Sequence, residues 1–235
     1  MHVVVTGASS GIGEAIAREY LARGAKVTLV ARRKGHLEKI AAAGAERTHV
    51  VAADLAATDV SWAWIDEAET ALGPIDVLVN NAGVQIVKRV TETDWAEAER
   101  MMRLDLMVPL HLTTLLLRRM IPRRHGVIVD VASMAAIAPT PGMFFYNAAK
   151  AGLAAASEGL RAEVKPHGIH VVTVYPGPVT SDLEAAGRAA YEDHAATRNV
   201  PTGTPEVLAR MIADAVAKRR PRVVYPRLYG VSRHF

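Results

Sequence analysis

Cysteine is absent from this chain, which excludes disulfides and thiolate metal sites and removes redox usage as a clue to compartment. Aromatic residues make up only 5% of it, so any core must be built from aliphatic and small side chains. Long apolar runs are missing too. The most apolar stretch, LMVPLHLTTLLL at 106–117, is too short and interrupted to cross a bilayer core of about 30 Å. Linkers, low-complexity tracts and internal repeats are also lacking. The nine histidines, among them His2, His36 and His167, show no metal-ligand spacing, and no metal is expected.

What is present is enough chain for one large domain: 235 residues, half of them apolar and rich in alanine. That composition belongs to a helix-rich globular protein. The formal net charge is +4, with arginine pairs at 32–33, 118–119, 123–124 and 219–220. The pairs lie far apart, mostly where helices are expected to end, and contact with helix C-termini accounts for them. A nucleic-acid binder would gather such charge on one stripe. The first strand begins almost at Met1, leaving no room for a leader peptide in this reading. We expect a cytoplasmic protein with no nucleic-acid or membrane partner.

Short β-branched runs at 2–7, 25–32, 48–55, 75–83, 126–133, 169–177 and 222–226 read as strands. Helical spacing fills the intervals at 12–24, 35–44, 62–73, 94–120, 146–164 and 205–218, with Pro109 implying a bend in the fourth. Strands alternating with helices predict right-handed crossovers. The expected fold is α/β: a single doubly wound, Rossmann-like domain over residues 1–235, its seven-stranded parallel sheet flanked by helices on both faces.

TGASSGIG (6–13) falls where the first strand meets the first helix. Its glycines, Gly7, Gly11 and Gly13, permit a tight turn and close approach of a pyrophosphate to the helix N-terminus. At the end of the second strand a dinucleotide site for NAD places an acid about 20 residues on. This chain has VARRK there, with no acid between Glu19 and Glu38. An arginine can clamp a 2′-phosphate instead. NADP(H) is therefore expected over NAD(H), with Arg32 the first candidate and Arg33 the second.

YNAAK (146–150) puts a tyrosine and a lysine four apart, on one helix face. The ammonium would lower the phenol pKa from its ordinary value of about 10. Taken alone, the five residues fit better an ordinary helical surface pair with the phenol half buried. With TGASSGIG, NNAG (80–83), Ser133 and YNAAK in this order, the chain resembles the short-chain dehydrogenase/reductase family over residues 2–226. The resemblance implies Tyr146 as acid/base, Lys150 as the residue tuning it and binding the nicotinamide ribose, and Ser133 as donor to the substrate oxygen. It also implies that Ser9, Ser10 and Ile12 in the glycine-rich turn touch the cofactor. Asp54 and Leu55 would flank the adenine, and Asn81, Ala82 and Gly83 the adenosine ribose. The loop Pro176, Gly177, Val179 and Ser181 would lie beside the nicotinamide.

One position departs from the family pattern. RLDLMVP (103–109) puts Asp105 where the family usually carries asparagine, whose main-chain carbonyl holds a water leading to the lysine. A carbonyl survives that exchange, while the carboxylate would raise the Lys150 pKa by charge attraction. Facing Tyr146, a substrate pocket of Val84, Gln85, Met134, Met143 and Pro178 is expected, with Met143 equally suited to core packing. Residues 182–204 stand where the family has its variable substrate lid. The helices around Leu110–Leu117 and Ala148–Leu160, with small residues at Ala154, Ala155, Ala156 and Gly159, suit packing into a homodimer or homotetramer.

The leading expectation is hydride transfer between NADP(H) and a carbonyl or secondary alcohol. The alternative is a non-catalytic NADP(H)-sensing protein that regulates a partner, since one fold hosts both.

Overall fold

The computed structural model describes residues 1–181, 184–185 and 202–226. The expected lid at 182–204 therefore lies largely outside the described residues, as does the tail after Pro226. Seven short strands form one sheet: β1 (His2–Thr6), β2 (Lys26–Ala31), β3 (Thr48–Ala52), β4 (Val77–Asn80), β5 (Gly126–Val131), β6 (Ile169–Pro176) and β7 (Arg222–Tyr225). Their order is β3-β2-β1-β4-β5-β6-β7, and every neighbouring pair is parallel. The crossovers carry helices α1 (Gly11–Ala22), α2 (Lys34–Ala41), α3 (Trp64–Leu72), α4 (Trp95–Met102), α5 (Val108–Arg123), α6 (Phe144–Val164) and α7 (Pro205–Ala217).

Side chains alternate across a strand, and here both faces are covered, so both are apolar. Val3 and Val5 join Ile16 of α1, Leu37 of α2 and Ile212 of α7 in one core. Val4, between them, joins Ile65 of α3 with Leu112 and Leu116 of α5 in the other. The chain leaves β1 in one direction towards β2 and β3, then returns to lay β4 on the opposite side. A crevice opens at the carboxyl ends of the strands where that order reverses.

Two element boundaries differ from the periodic pattern for identifiable reasons. β4 stops at Asn80 because the next two amides, of Asn81 and Ala82, turn to donate to the Thr6 hydroxyl at 2.9 and 3.0 Å. The long helix opens on Asp94, whose carboxylate accepts from the amides of Ala96 and Glu97. It is then interrupted by a wide π turn at Arg103–Met107 before α5 begins. Pro109 has no amide hydrogen to donate to the carbonyl four residues back, which is that of Asp105, and its ring crowds that carbonyl. Widening the helix relieves the conflict.

The arginines near helix ends mostly reach acids or carbonyls: Arg119 pairs with Asp66 and Glu69, Arg123 donates to the Ile75 carbonyl, and Arg124 to that of Pro166. Not all the small residues of α6 face outward as subunit packing would need. Ala154 packs inside the chain against Ala132 and Tyr175, which leaves Ala155 and Gly159 on the exposed side. Among the described residues no helix is long and apolar enough to cross a membrane.

Beneath the crevice, β5 buries a carboxylic acid. Asp130 accepts from Asn80 Nδ2 at 2.8 Å, and the same amide nitrogen donates to Thr113 Oγ1 at 3.1 Å. Burial pushes the Asp130 pKa up to about 6, against the opposing pull of Asn80, Ser157 and the Lys150 charge. The Asn80 Oδ1 is buried without a hydrogen bond among the described residues. A folded-state pKa raised above the ordinary carboxyl value means the native protein holds a proton that the unfolded chain releases. Stability therefore falls as pH rises from about 4 to about 6 and stays lower above that window, by about 3 kcal/mol. Asp130→Asn removes this titration and supplies a donor for Asn80 Oδ1. Its melting temperature should exceed that of the native sequence at pH 7.5, and the gain should shrink as pH falls to 4. A constant difference across that range, read by thermal melts, would contradict the buried-acid account.

Candidate active site

The crevice holds a cavity of about 560 Å³. One end is formed by the turn between β1 and α1. Gly7 has φ +68°, and a Cβ there would lie 2.8 Å from Ala82 Cα. At Gly13 a Cβ would lie 2.2 Å from the Gly7 carbonyl oxygen and 2.5 Å from Asn81 Nδ2. Only hydrogen fits at either position. The turn thus presses against the end of β4, where Asn81 Nδ2 donates to the Thr6 carbonyl at 2.9 Å. The Ser10 side chain makes no capping hydrogen bond to α1, so the first amides of that helix are left facing the cavity. An anion is the natural complement to such a helix end.

Arg33 lies along the turn, with Nε and Nη2 donating to Ser9 Oγ at 3.2 and 3.1 Å. Arg32 lines the same end and is exposed. Asp54 and Leu55 are across from them. The Asp54 carboxylate accepts from Arg100 and from the Ala56 amide. Burial raises its pKa less than these contacts lower it, and the net effect is downward. This donor set fits a dinucleotide: amides at a helix end for the pyrophosphate, guanidinium groups and a hydroxyl beyond it.

At the other end the chemistry-bearing side chains converge. Tyr146, near the start of α6, is buried, and Lys150 is one turn further, its Nζ 5.7 Å from the phenol ring centroid. The ammonium is held below by the Val131 carbonyl and by Asp105 Oδ2, each at 3.2 Å. The second contact is an ion pair not aligned as a hydrogen bond. Asp105 Oδ1 accepts from the Val84 amide at 2.9 Å. Both members of the pair are almost fully buried, Asp105 1% and Lys150 4% exposed. Ser133 follows β5, its hydroxyl accepting from the Ala135 amide at 3.1 Å, and its influence on Tyr146 is to lower the phenol pKa.

Every residue expected at the site lines this one cavity: Ser133, Tyr146, Lys150 and Asp105, the cofactor set from Gly7 to Ser181, and Val84, Gln85, Met134, Met143 and Pro178. Met143 satisfies both of its readings, being buried beside Ile86, Met101 and Tyr146 while still lining the cavity. One electrostatic expectation needs correction. The phenol pKa is raised, not lowered. Burial drives it up, Lys150 opposes, and Asp105 reinforces the rise. Lys150 itself is raised, because attraction by Asp105 and Tyr146 outweighs burial. For Asp105 burial wins and the carboxyl moves up, against Lys150 and the Val84 amide.

Thr6, Asp130 and the Val131 carbonyl shape the site without having been singled out from sequence. Asp130 had a visible signal, a lone acid inside the apolar run GVIVDV. A carbonyl has none.

The family model for short chain dehydrogenase matches residues 1–192. The chain belongs to that family. Nodulation protein G of Rhizobium sp. (strain N33) is 38% identical over 183 residues, covering 77% of this chain and 74% of that one. A short-chain dehydrogenase from Streptomyces avermitilis has a crystal structure with TM-score 0.85 at 29% identity, covering 98% of this chain and 89% of its own. Another, from Sphingobium yanoikuyae and in complex with NADPH, gives TM-score 0.84 at 27% identity over 96% and 87% of the two chains. As a short-chain dehydrogenase, the protein is an oxidoreductase of the hydride-transferring kind, acting on CH–OH or carbonyl groups.

The buried ion pair depends on a glycine. A Cβ at Gly83 would lie 2.8 Å from Asp105 Oδ2 and 3.3 Å from Lys150 Nζ. Gly83→Ala should therefore cost about 1–3 kcal/mol in denaturant-induced unfolding. A loss indistinguishable from zero would mean that Asp105 and Lys150 have room to separate.

Proposed function

We propose that this short-chain dehydrogenase interconverts a carbonyl compound and its secondary alcohol with NADP(H), using Tyr146 as the acid/base. The observation that carries this reading is the shared cavity: the hydroxyls of Ser133 and Tyr146 stand at one end of it, and the glycine-rich turn with Arg32 and Arg33 at the other. The bound nicotinamide would supply or accept the hydride.

The chain's own residues do the rest. The α1 N-terminus takes the pyrophosphate. Arg33 and Ser9, already in contact, and the neighbouring Arg32 take the 2′-phosphate, for which no acid competes at the end of β2. The Arg33 guanidinium docked on Ser9 supports a share for it in this role beside Arg32. Asp54 and Leu55 border the adenine, Asn81, Ala82 and Gly83 the adjoining ribose, and Pro176, Gly177, Val179 and Ser181 the nicotinamide.

Ser133 and Tyr146 donate hydrogen bonds to the substrate oxygen, where negative charge builds as hydride arrives at carbon. Tyr146 then gives that oxygen its proton, and in the reverse direction takes it back. Lys150, held by Asp105 and Val131, lies one turn from the phenol, where its attraction opposes the rise that burial causes. The substrate end, bordered by Val84, Gln85, Met134, Met143 and Pro178, is mainly apolar and suits a hydrophobic ketone or alcohol. Gln85 Nε2 reaches Met143 Sδ at 3.7 Å.

Tyr146→Phe should lower turnover about 100-fold or more while NADPH affinity, read by fluorescence titration, stays nearly the same. A panel of carbonyl compounds followed at the nicotinamide absorbance supplies the rates. Tight NADPH binding with no turnover on any of them would instead favour a nucleotide-sensing protein. Arg33→Ala and Arg32→Ala should weaken NADPH by about tenfold each, as loss of a charge-assisted bond does, and NADH far less. An unchanged NADPH-to-NADH ratio in both variants would refute the cofactor preference.

A further inference from the structure

Asp105 places a second buried charge where the resemblance leads one to expect a neutral amide. We propose that Asp105 is a positioning residue that neutralises Lys150 and so keeps Tyr146 a phenol at neutral pH, biasing this site towards carbonyl reduction and confining alcohol oxidation to alkaline solution. The inference rests on the proposed acid/base role of Tyr146 and adds to it the pH range and working direction.

Lys150 Nζ is 3.2 Å from the Asp105 carboxylate and 5.7 Å from the phenol ring centroid. The aspartate is fixed by the Val84 amide at 2.9 Å and confined by the bare Cα of Gly83. Burial moves the Asp105 carboxyl up, against the pull of Lys150 and the Val84 amide; once it is ionised, the pair acts on Tyr146 as a dipole more than as a free positive charge. The other groups facing the phenol do not restore that charge. Ser133 offers a neutral hydroxyl, and Glu184, beyond β6, adds a negative one. Asp130 of β5 acts on Lys150 from the sheet side and is ionised above about pH 6.

Reduction needs the protonated phenol. A bound reduced nicotinamide would supply the hydride pair for the new C–H bond at the carbonyl carbon; the C=O π pair moves to oxygen, and that oxygen takes the Tyr146 proton. The tyrosinate left behind is reprotonated from solvent, the hydride donor being the species that would be oxidised. Oxidation begins from the tyrosinate, which this arrangement makes scarce until the pH approaches the phenol pKa.

The test is a titration of the ligand-free protein. Tyrosinate absorbance is followed against pH, and the Tyr146 signal is isolated by subtracting the curve of Tyr146→Phe. The native protein should titrate Tyr146 at or above the ordinary phenol value of about 10. Asp105→Asn should bring that value down by about one pH unit or more. The rising limb of the alcohol-oxidation rate should move to lower pH by the same amount. Asp105→Ser is the second variant, neutral and smaller, should the amide disturb folding. A native Tyr146 that titrates well below 10 overturns the proposal without any variant. So does an unmoved Tyr146 in a variant whose cooperative melt shows it folded. Absence of turnover on every carbonyl or alcohol would count against the proposed function alone, since the absorbance titration still decides this inference.

Discussion

A lysine ammonium buried under the cavity is the constraint around which the site is built. Desolvating such a charge is tolerable only if it is paired and hydrogen-bonded, and the fold meets that need from three separate elements. The Val131 carbonyl comes from the end of β5, the Asp105 carboxylate from the π turn, and the ammonium itself from α6. Gly83, after β4, leaves the space in which the carboxylate and the ammonium meet. Each element is fixed in turn by the parallel sheet, so the electrostatics of the site are a property of the whole topology.

The same arrangement separates two jobs that a simpler reading would give to one residue. Lys150 is the charge nearest the phenol along α6, but its pairing with Asp105 limits how far it can acidify Tyr146. Burial then dominates and the phenol moves up. Asp130, one residue before the carbonyl that holds Lys150, adds a second carboxyl that titrates near pH 6 under the same floor. A site with two buried acids and one buried base changes net charge across the ordinary working range of a protein, and its protonation states are collective.

Much of the fold could be read from the chain because local and global signals agree. Apolar strands alternating with helices of a dozen residues admit few topologies, and the glycines at 7, 11 and 13 mark the one turn where backbone must come close. The site residues were legible as motifs for the same reason. What escaped were contacts between segments remote in the chain. Nothing near Asp105 announces Val84 or Lys150 as its neighbours, and nothing in VTG says that the Thr6 hydroxyl will gather the two amides that end β4. The direction of the Tyr146 shift was missed because burial, which decides it, cannot be counted from an i, i+4 spacing.

The wide turn forced by Pro109 has one more effect. A π turn takes up one extra residue, which rotates everything after it by on the order of 100° relative to a regular helix. Met101, before the turn, packs in the buried cluster with Ile86, Met143 and Tyr146. Val108, Leu112 and Leu116, after it, pack instead against the sheet with Val4, Leu78 and Ile128. A single rod of chain thereby serves two interiors, and the out-of-phase splice between them is where Asp105 is delivered to the lysine.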